Sequence, residues 1–102
     1  MNTPGSGSNK HHKVAKKPDL YYGERDKLET WILQWDTYFH LEGDDVDEDK
    51  QVLLVSTYMR DKAARWMNPH VTRYMNDDIT DTENDRMIED WSVFKEQLRK
   101  VF

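Results

Sequence analysis

Leu28, Trp31, Ile32, Trp35, Tyr38 and Phe39 recur at i, i+3, i+4, i+7, i+10 and i+11. That spacing follows the 3.6-residue turn of a helix and does not fit the two-residue repeat of a strand. The chemistry of the stripe matters as much as its period. Four Trp, five Tyr and three Phe in 102 residues bury large areas per side chain, so a hydrophobic fraction of 36% still supplies a core. A chain of this length makes one domain around one core. Glu24 and Asp26 suit the positive end of this first helix. Gly43 is placed to stop it after Leu41 or Glu42 by turning left-handed.

Later segments repeat the pattern more briefly. Asp47, Glu48 and Asp49 supply a cap and first-turn acids for a second helix carrying Val52, Leu53, Leu54, Val55, Tyr58 and Met59. Ala63, Ala64, Trp66 and Met67 mark a short third helix, with the small alanines admitting a close neighbour and Trp66 filling the space beside them. Asn68-Pro69 then reads as a cap followed by a first-turn proline, restarting a helix through Val71, Tyr74 and Met75; a kinked continuation is the alternative. Residues 76–90 are dominated by acids, with Ile79, Met87 and Ile88 as aliphatic anchors, and are expected to form a mobile polar loop. Trp91, Phe94, Leu98, Val101 and Phe102 restore the helical period, with Asp90 as cap and Arg99 and Lys100 at the negative end. The pattern is still running at Phe102, as expected of a segment of a longer protein.

The opening residues contrast with this. Met1 to Lys17 mixes glycine, serine and basic residues with almost nothing apolar, which predicts a disordered tail over residues 1–17 before a folded lobe over residues 18–102. Leu20, Tyr21 and Tyr22 follow Pro18 as an extended lead-in packed on the bundle. The fold class is therefore all-α, a compact bundle of four to five short helices. Its core is expected to contain Leu28, Trp31, Ile32, Trp35, Tyr38, Phe39, Val52, Leu53, Met59, Ala63, Trp66, Trp91, Phe94, Leu98 and Phe102.

Charge and composition narrow the function. Lys10, Lys13, Lys16 and Lys17 against Asp19 give the first nineteen residues +3, leaving −8 on the rest of a chain whose net charge is −5. An acidic body repels phosphate backbones, so RNA contact is expected only weakly and only through the tail. The absence of cysteine removes disulfides, thiolate nucleophiles and zinc knuckles from this segment. No signal-peptide centre or membrane-length apolar run occurs, so the expected location is cytoplasmic, with no membrane contact.

Candidate chemistry fails on spacing. Asp45, Asp47 and Asp49 match the first calcium-loop positions, but Lys50 stands where the turn needs Gly and Ser56 where a bidentate Glu must close the site. The run from Asp81, Glu83 and Asp85 fails the same test at Arg86 and Ser92. His40 and His70 belong to no paired zinc spacing. Without a strand-turn-helix elbow or a glycine-rich loop, the serines and carboxylates have nothing to organise them into a catalytic site. No catalytic, cofactor or metal residue is assigned.

Four blocks then fall in a telling order: Trp31 to Phe39; Lys50 with Val52; Tyr58-Met59-Arg60-Asp61-Lys62-Ala63-Ala64-Arg65-Trp66; and Trp91, Phe94, Leu98 and Phe102. From about Pro18 to Phe102 this resembles the Gag domain of Ty3/Gypsy retrotransposons and their domesticated relatives. That family has an aromatic first helix with a Tyr-Phe pair, a Lys-Val step, a Tyr-Leu-Arg-Gly-x-Ala-x-x-Trp block and a closing Trp-x-x-Phe-x-x-x-Leu-x-x-x-Phe. Here Met59 replaces Leu and Asp61 replaces Gly; methionine is close to leucine in volume, and aspartate is expected to cap the next helix.

The resemblance implies a retroviral capsid N-lobe-like fold that associates weakly with other copies of itself to build a virus-like particle, with no enzymatic activity. It leaves the assembly interface unassigned. A domesticated relative would instead hold a host peptide in an aromatic groove, for which Tyr58, Tyr74 and Phe39 are the candidates.

Overall fold

A computed structural model of the chain describes residues 15–102. The predicted tail therefore lies, as far as Val14, outside the described residues. Of its last three residues, Ala15 packs half-buried against the core, whereas Lys16 and Lys17 are exposed. Five α-helices follow: α1 (Leu28–Glu42), α2 (Gln51–Ser56), α3 (Asp61–Met75), α4 (Thr82–Glu89) and α5 (Trp91–Val101). The all-α bundle expected from the helical spacing is the architecture found.

The aromatic stripe forms α1 and buries Leu28, Trp31, Ile32, Trp35 and Tyr38. A 3-10 turn over Arg25–Lys27 leads into it. Gly43 does not stop it in the expected way. With φ −64° and ψ −20° it stays right-handed and opens a 3-10 turn, Gly43–Asp45, closed by the Val46 amide donating to its carbonyl at 3.2 Å. A tightening of the last turn thus replaces the left-handed stop.

The second helix is shorter than its apolar content suggests. Asp47 precedes a 3-10 turn, Glu48–Lys50, without capping it through its side chain. After Ser56 the Ser56 and Thr57 hydroxyls donate to the Leu53 and Leu54 carbonyls, each at 2.6 Å, competing with continuation of the helix. Met59 is buried outside the helix, in a parallel bridge with Tyr21. There the Tyr21 amide donates to the Tyr58 carbonyl at 2.9 Å and the Arg60 amide to the Tyr21 carbonyl at 2.8 Å. The lead-in is thereby fixed as an extended strap. Burial pushes the Tyr21 phenol up to about 12, with Glu24 and Asp26 adding to the shift, and its hydroxyl donates to the Glu24 carbonyl at 2.8 Å.

Two backbone positions shape the strap's junction with α3. Gly23 has φ +100°, and a Cβ there would lie 3.1 Å from Lys62 Cβ and 3.3 Å from the Ala63 nitrogen. Asp61, at φ +50°, is the one non-glycine with positive φ among the described residues. It begins α3 rather than capping it; the cap position is Arg60, which makes no side-chain cap bond. An L-residue in the left-handed region is strained by about 1 kcal/mol, with Asp among the residues that tolerate it. Because no side-chain bond of Asp61 is lost, Asp61→Gly is expected to stabilise the fold by about 0.5 kcal/mol after glycine's unfolded-state entropy is allowed for. Chemical denaturation of the two proteins measures this, and a clear loss of stability would refute the strain.

α3 runs unbroken through Pro69. The predicted restart at Asn68 does not occur, because Ala63, Met67, Val71 and Tyr74 keep one helical period across the proline. Burying that continuous face offsets the roughly 3 kcal/mol that an interior proline costs.

The expected mobile loop over residues 76–90 is largely α4. The Asp81 carboxylate accepts from the Asn84 amide at 3.1 Å as a cap, Glu83 and Asp85 complement the helix dipole, and Asn84, Met87 and Ile88 are buried at i, i+3 and i+4. α5 follows the sequence reading: Asp90 accepts from the Ser92 and Val93 amides at 2.9 and 3.3 Å, and Phe94 and Leu98 are buried.

The core surrounds Trp35. Of the residues expected in it, Leu28, Trp31, Ile32, Trp35, Tyr38, Val52, Met59, Ala63, Phe94, Leu98 and Phe102 are buried. Phe39, Leu53, Trp66 and Trp91 are half-buried at its edge. Each has a local reason. Val52 and Val55 take the inward positions of α2 and displace Leu53; Ala63 and Met67 take those of α3, leaving Trp66 across the rim against Phe94 and Phe102. Phe39 lies one residue past the inward Tyr38, and Trp91 directs its Nε1 outward to Asp36 at 2.8 Å.

Candidate interaction surfaces

The candidate metal ligands stay apart. Among the described residues, no three His, Asp or Glu side chains gather as a metal site. Asp45 and Asp49 fall in two separate 3-10 turns with Asp47 between them. His40 is exposed on α1, while His70 on α3 binds Asn84. The three rings expected to line a peptide groove do not converge. Phe39 and Tyr58 pack on Trp35, with centroids 5.4 and 4.9 Å away, whereas Tyr74 at the end of α3 donates to the Glu89 carboxylate at 2.7 Å. That bond raises the Tyr74 phenol to about 12, with partial burial adding to it.

Two of the concavities among the described residues stand out by volume. The larger, about 470 Å³, is a polar cleft between α3, α4 and α5 that includes His70, Arg73, Asp81 and Asn84. Those four residues are engaged with one another. Arg73 Nε donates to Asp81 Oδ2 at 2.7 Å, and Asn84 Nδ2 donates to the His70 carbonyl at 3.0 Å. The Asn84 amide, then the Arg73 guanidinium, hold the Asp81 carboxyl below its usual value. This arrangement ties α3 to α4.

The second concavity is a groove of about 350 Å³ on the outer face of α1, walled by Ala15 to Pro18 and floored by Thr30, Leu33, Thr37, Tyr38 and Leu41. Leu33 and Leu41 are exposed by 63% and 48%. They lie outside the inward stripe, and sequence reasoning gave them no part in a surface. The available signal was their eight-residue separation, which puts two apolar side chains on one outer helix face.

Polar contacts make the remaining joints. Asp36 receives Trp91 Nε1 at 2.8 Å and Lys95 Nζ at 3.1 Å, closing α1 on α5. Arg99 grips Glu29 with two bonds of 2.9 and 3.0 Å. The hydrogen bond from Arg99 lowers the Glu29 carboxyl pKa and raises that of the guanidinium, but the pair is solvent-exposed and adds little to stability. No helix among the described residues is long and apolar enough to cross a membrane. Comparison with protein-family models, curated proteins and solved structures gives no match.

Proposed function

We propose that this chain is the N-terminal lobe of a Ty3/Gypsy-type Gag capsid protein, a non-catalytic module that associates with its own copies to build a cytoplasmic particle shell. The observation that carries the reading is the backbone of Asp61. In the sequence block that resembles that family, Asp61 occupies the glycine position, and it is here that a non-glycine residue takes a positive φ. A glycine preference at that position has a physical cause in this fold. The four blocks of the resemblance also pack together: Trp31 and Trp35, Val52, Met59 and Ala63, and Phe94, Leu98 and Phe102 share one core.

A shell needs many weak contacts acting together, because strong single contacts trap misassembled particles. The lobe alone is therefore expected to be monomeric when dilute and to associate reversibly when concentrated. Sedimentation from about 10 μM to about 1 mM covers the range in which weak contacts become populated. A single monomeric species throughout would refute the reading. The runner-up, a domesticated module holding a host peptide among Phe39, Tyr58 and Tyr74, loses support because those rings do not meet. RNA contact, if made, belongs to the basic tail and is expected to weaken with salt.

A further inference from the structure

The groove on α1 combines apolar and basic character. Leu33 and Leu41 stand eight residues apart, about 12 Å along the helix, leaving room between them for one long side chain. Lys16 and Lys17 in its wall are exposed and form no ion pair among the described residues. An occupant of matching chemistry presents one apolar side chain beside unpaired carboxylates. The other exposed large apolar residues are Leu20, Tyr22, Met75 and Val101. Val101 follows Arg99 and Lys100, which would repel the groove's lysines. Leu20 and Tyr22 adjoin Asp19 and Glu24, whose carboxylates are taken by Gln34 and Lys27. Met75 alone is followed by two exposed carboxylates, Asp77 and Asp78, without an ion-pair partner among the described residues.

Resting on the self-assembly reading, we propose that the groove receives the end of α3 from a second copy, Met75 entering between Leu33 and Leu41 while Asp77 and Asp78 pair with Lys16 and Lys17. Met75 is 60% exposed, and methionine adapts its shape to an irregular groove. The turn behind it is already ordered: the Asp78 amide donates to Asn76 Oδ1 at 3.0 Å and the Ile79 amide to the Asn76 carbonyl at 3.1 Å. Preorganisation lowers the entropic cost of docking. Groove and knob occupy different surfaces, so each copy offers both and the contact is head-to-tail. Such contacts close into rings or extend as filaments.

The chain lacks cysteine, which permits a direct test. Under mild oxidation of concentrated protein, Leu33→Cys mixed with Met75→Cys should give a dimer, and the double variant L33C/M75C a ladder of oligomers. Each single variant alone should cross-link at least about tenfold more slowly than the mixture, as expected where one surface does not meet its own copy. Leu33→Cys cross-linking to itself as fast as to Met75→Cys would overturn the proposal in favour of a symmetric contact. Charge reversal provides a second readout by sedimentation. Lys16→Glu with Lys17→Glu, and separately Asp77→Lys with Asp78→Lys, should each weaken self-association about tenfold or more. Mixing the two reversed proteins should restore it, because every groove then meets an opposite charge. Association that is unchanged by both reversals places assembly elsewhere, refuting this contact and leaving the capsid reading standing. A chain that never associates refutes both.

Discussion

Trp35→Ala is expected to cost about 3 to 5 kcal/mol, leaving a small domain near the edge of folding. Trp35 is 0% exposed and lies at the centre of the aromatic cluster. Trp31, Tyr38, Phe39 and Tyr58 surround it with centroids 6.3, 5.6, 5.4 and 4.9 Å away, in perpendicular or tilted arrangements that rings favour over direct stacking. Three of these neighbours are fixed on α1 beside Trp35 and Tyr58 follows α2, so they cannot collapse together into the space of one lost indole. Trp66→Ala should cost less, although the sequence places Trp66 in the core as well, because its indole lies half-buried across the rim.

The indole nitrogens give a further contrast. Trp31 Nε1 donates to the Asp19 carbonyl at 2.7 Å, whereas Trp35 Nε1 has no hydrogen-bond partner among the described residues. Trp35→Phe thus loses packing alone, and Trp31→Phe loses packing and a bond to the strap. Denaturant melts of Trp35→Ala, Trp35→Phe and Trp66→Ala measure the ranking. A Trp66→Ala variant less stable than Trp35→Ala would place the centre of the core elsewhere.

The parts of this fold written as large apolar side chains at helical spacing were legible. α1 and α5 follow from period, charge placement and, for α5, the Asp90 cap. Sequence reasoning failed where a local residue preference competed with the period or where burial was polar. Asn68-Pro69 resembles a helix start, yet the apolar face running from Ala63 to Tyr74 outweighs it. Gly43 invited a left-handed stop and stayed right-handed, while the left-handed conformation fell on Gly23 and Asp61, where the strap crosses the start of α3. The groove on α1 was hidden for a related reason. Its floor is visible as Leu33 and Leu41, but Ala15 to Pro18 form its wall because the strap is pinned by pairing to Tyr58 and Arg60 and by the bonds of Asp19 to Trp31 and Gln34, contacts between segments apart in sequence.

α4 is the clearest failure, and Asn84 is its cause. Asparagine normally counts as solvent-facing, so residues 76–90 read as a polar loop with a few anchors. Here Asn84 is 7% exposed. Its Oδ1 lies 2.8 Å from His70 Nδ1, and its Nδ2 donates to the His70 carbonyl at 3.0 Å. With the amide group oriented this way, His70 Nδ1 must carry the proton, so one residue of α3 is gripped through both its ring and its backbone. Each net bond contributes about 1 kcal/mol, and a buried group left unsatisfied costs more, so Asn84→Ala is expected to lose about 2 to 3 kcal/mol. Asn84→Leu should fare no better, because the apolar side chain would meet the His70 carbonyl in place of a donor. A double-mutant cycle with His70→Ala separates this coupling from the general cost of truncation, and the interaction energy should be about 1 kcal/mol or more. Amide exchange supplies the spatial test. In Asn84→Ala the amides of Asp85 to Ile88 should lose protection well before those of α1, because α4 is short and this pair is the more buried of its side-chain links to α3, beside the exposed Arg73–Asp81 and Tyr74–Glu89 bonds. If the coupling is near zero and α4 stays as protected as α1, then Met87 and Ile88 hold the helix by themselves and the polar pair is incidental.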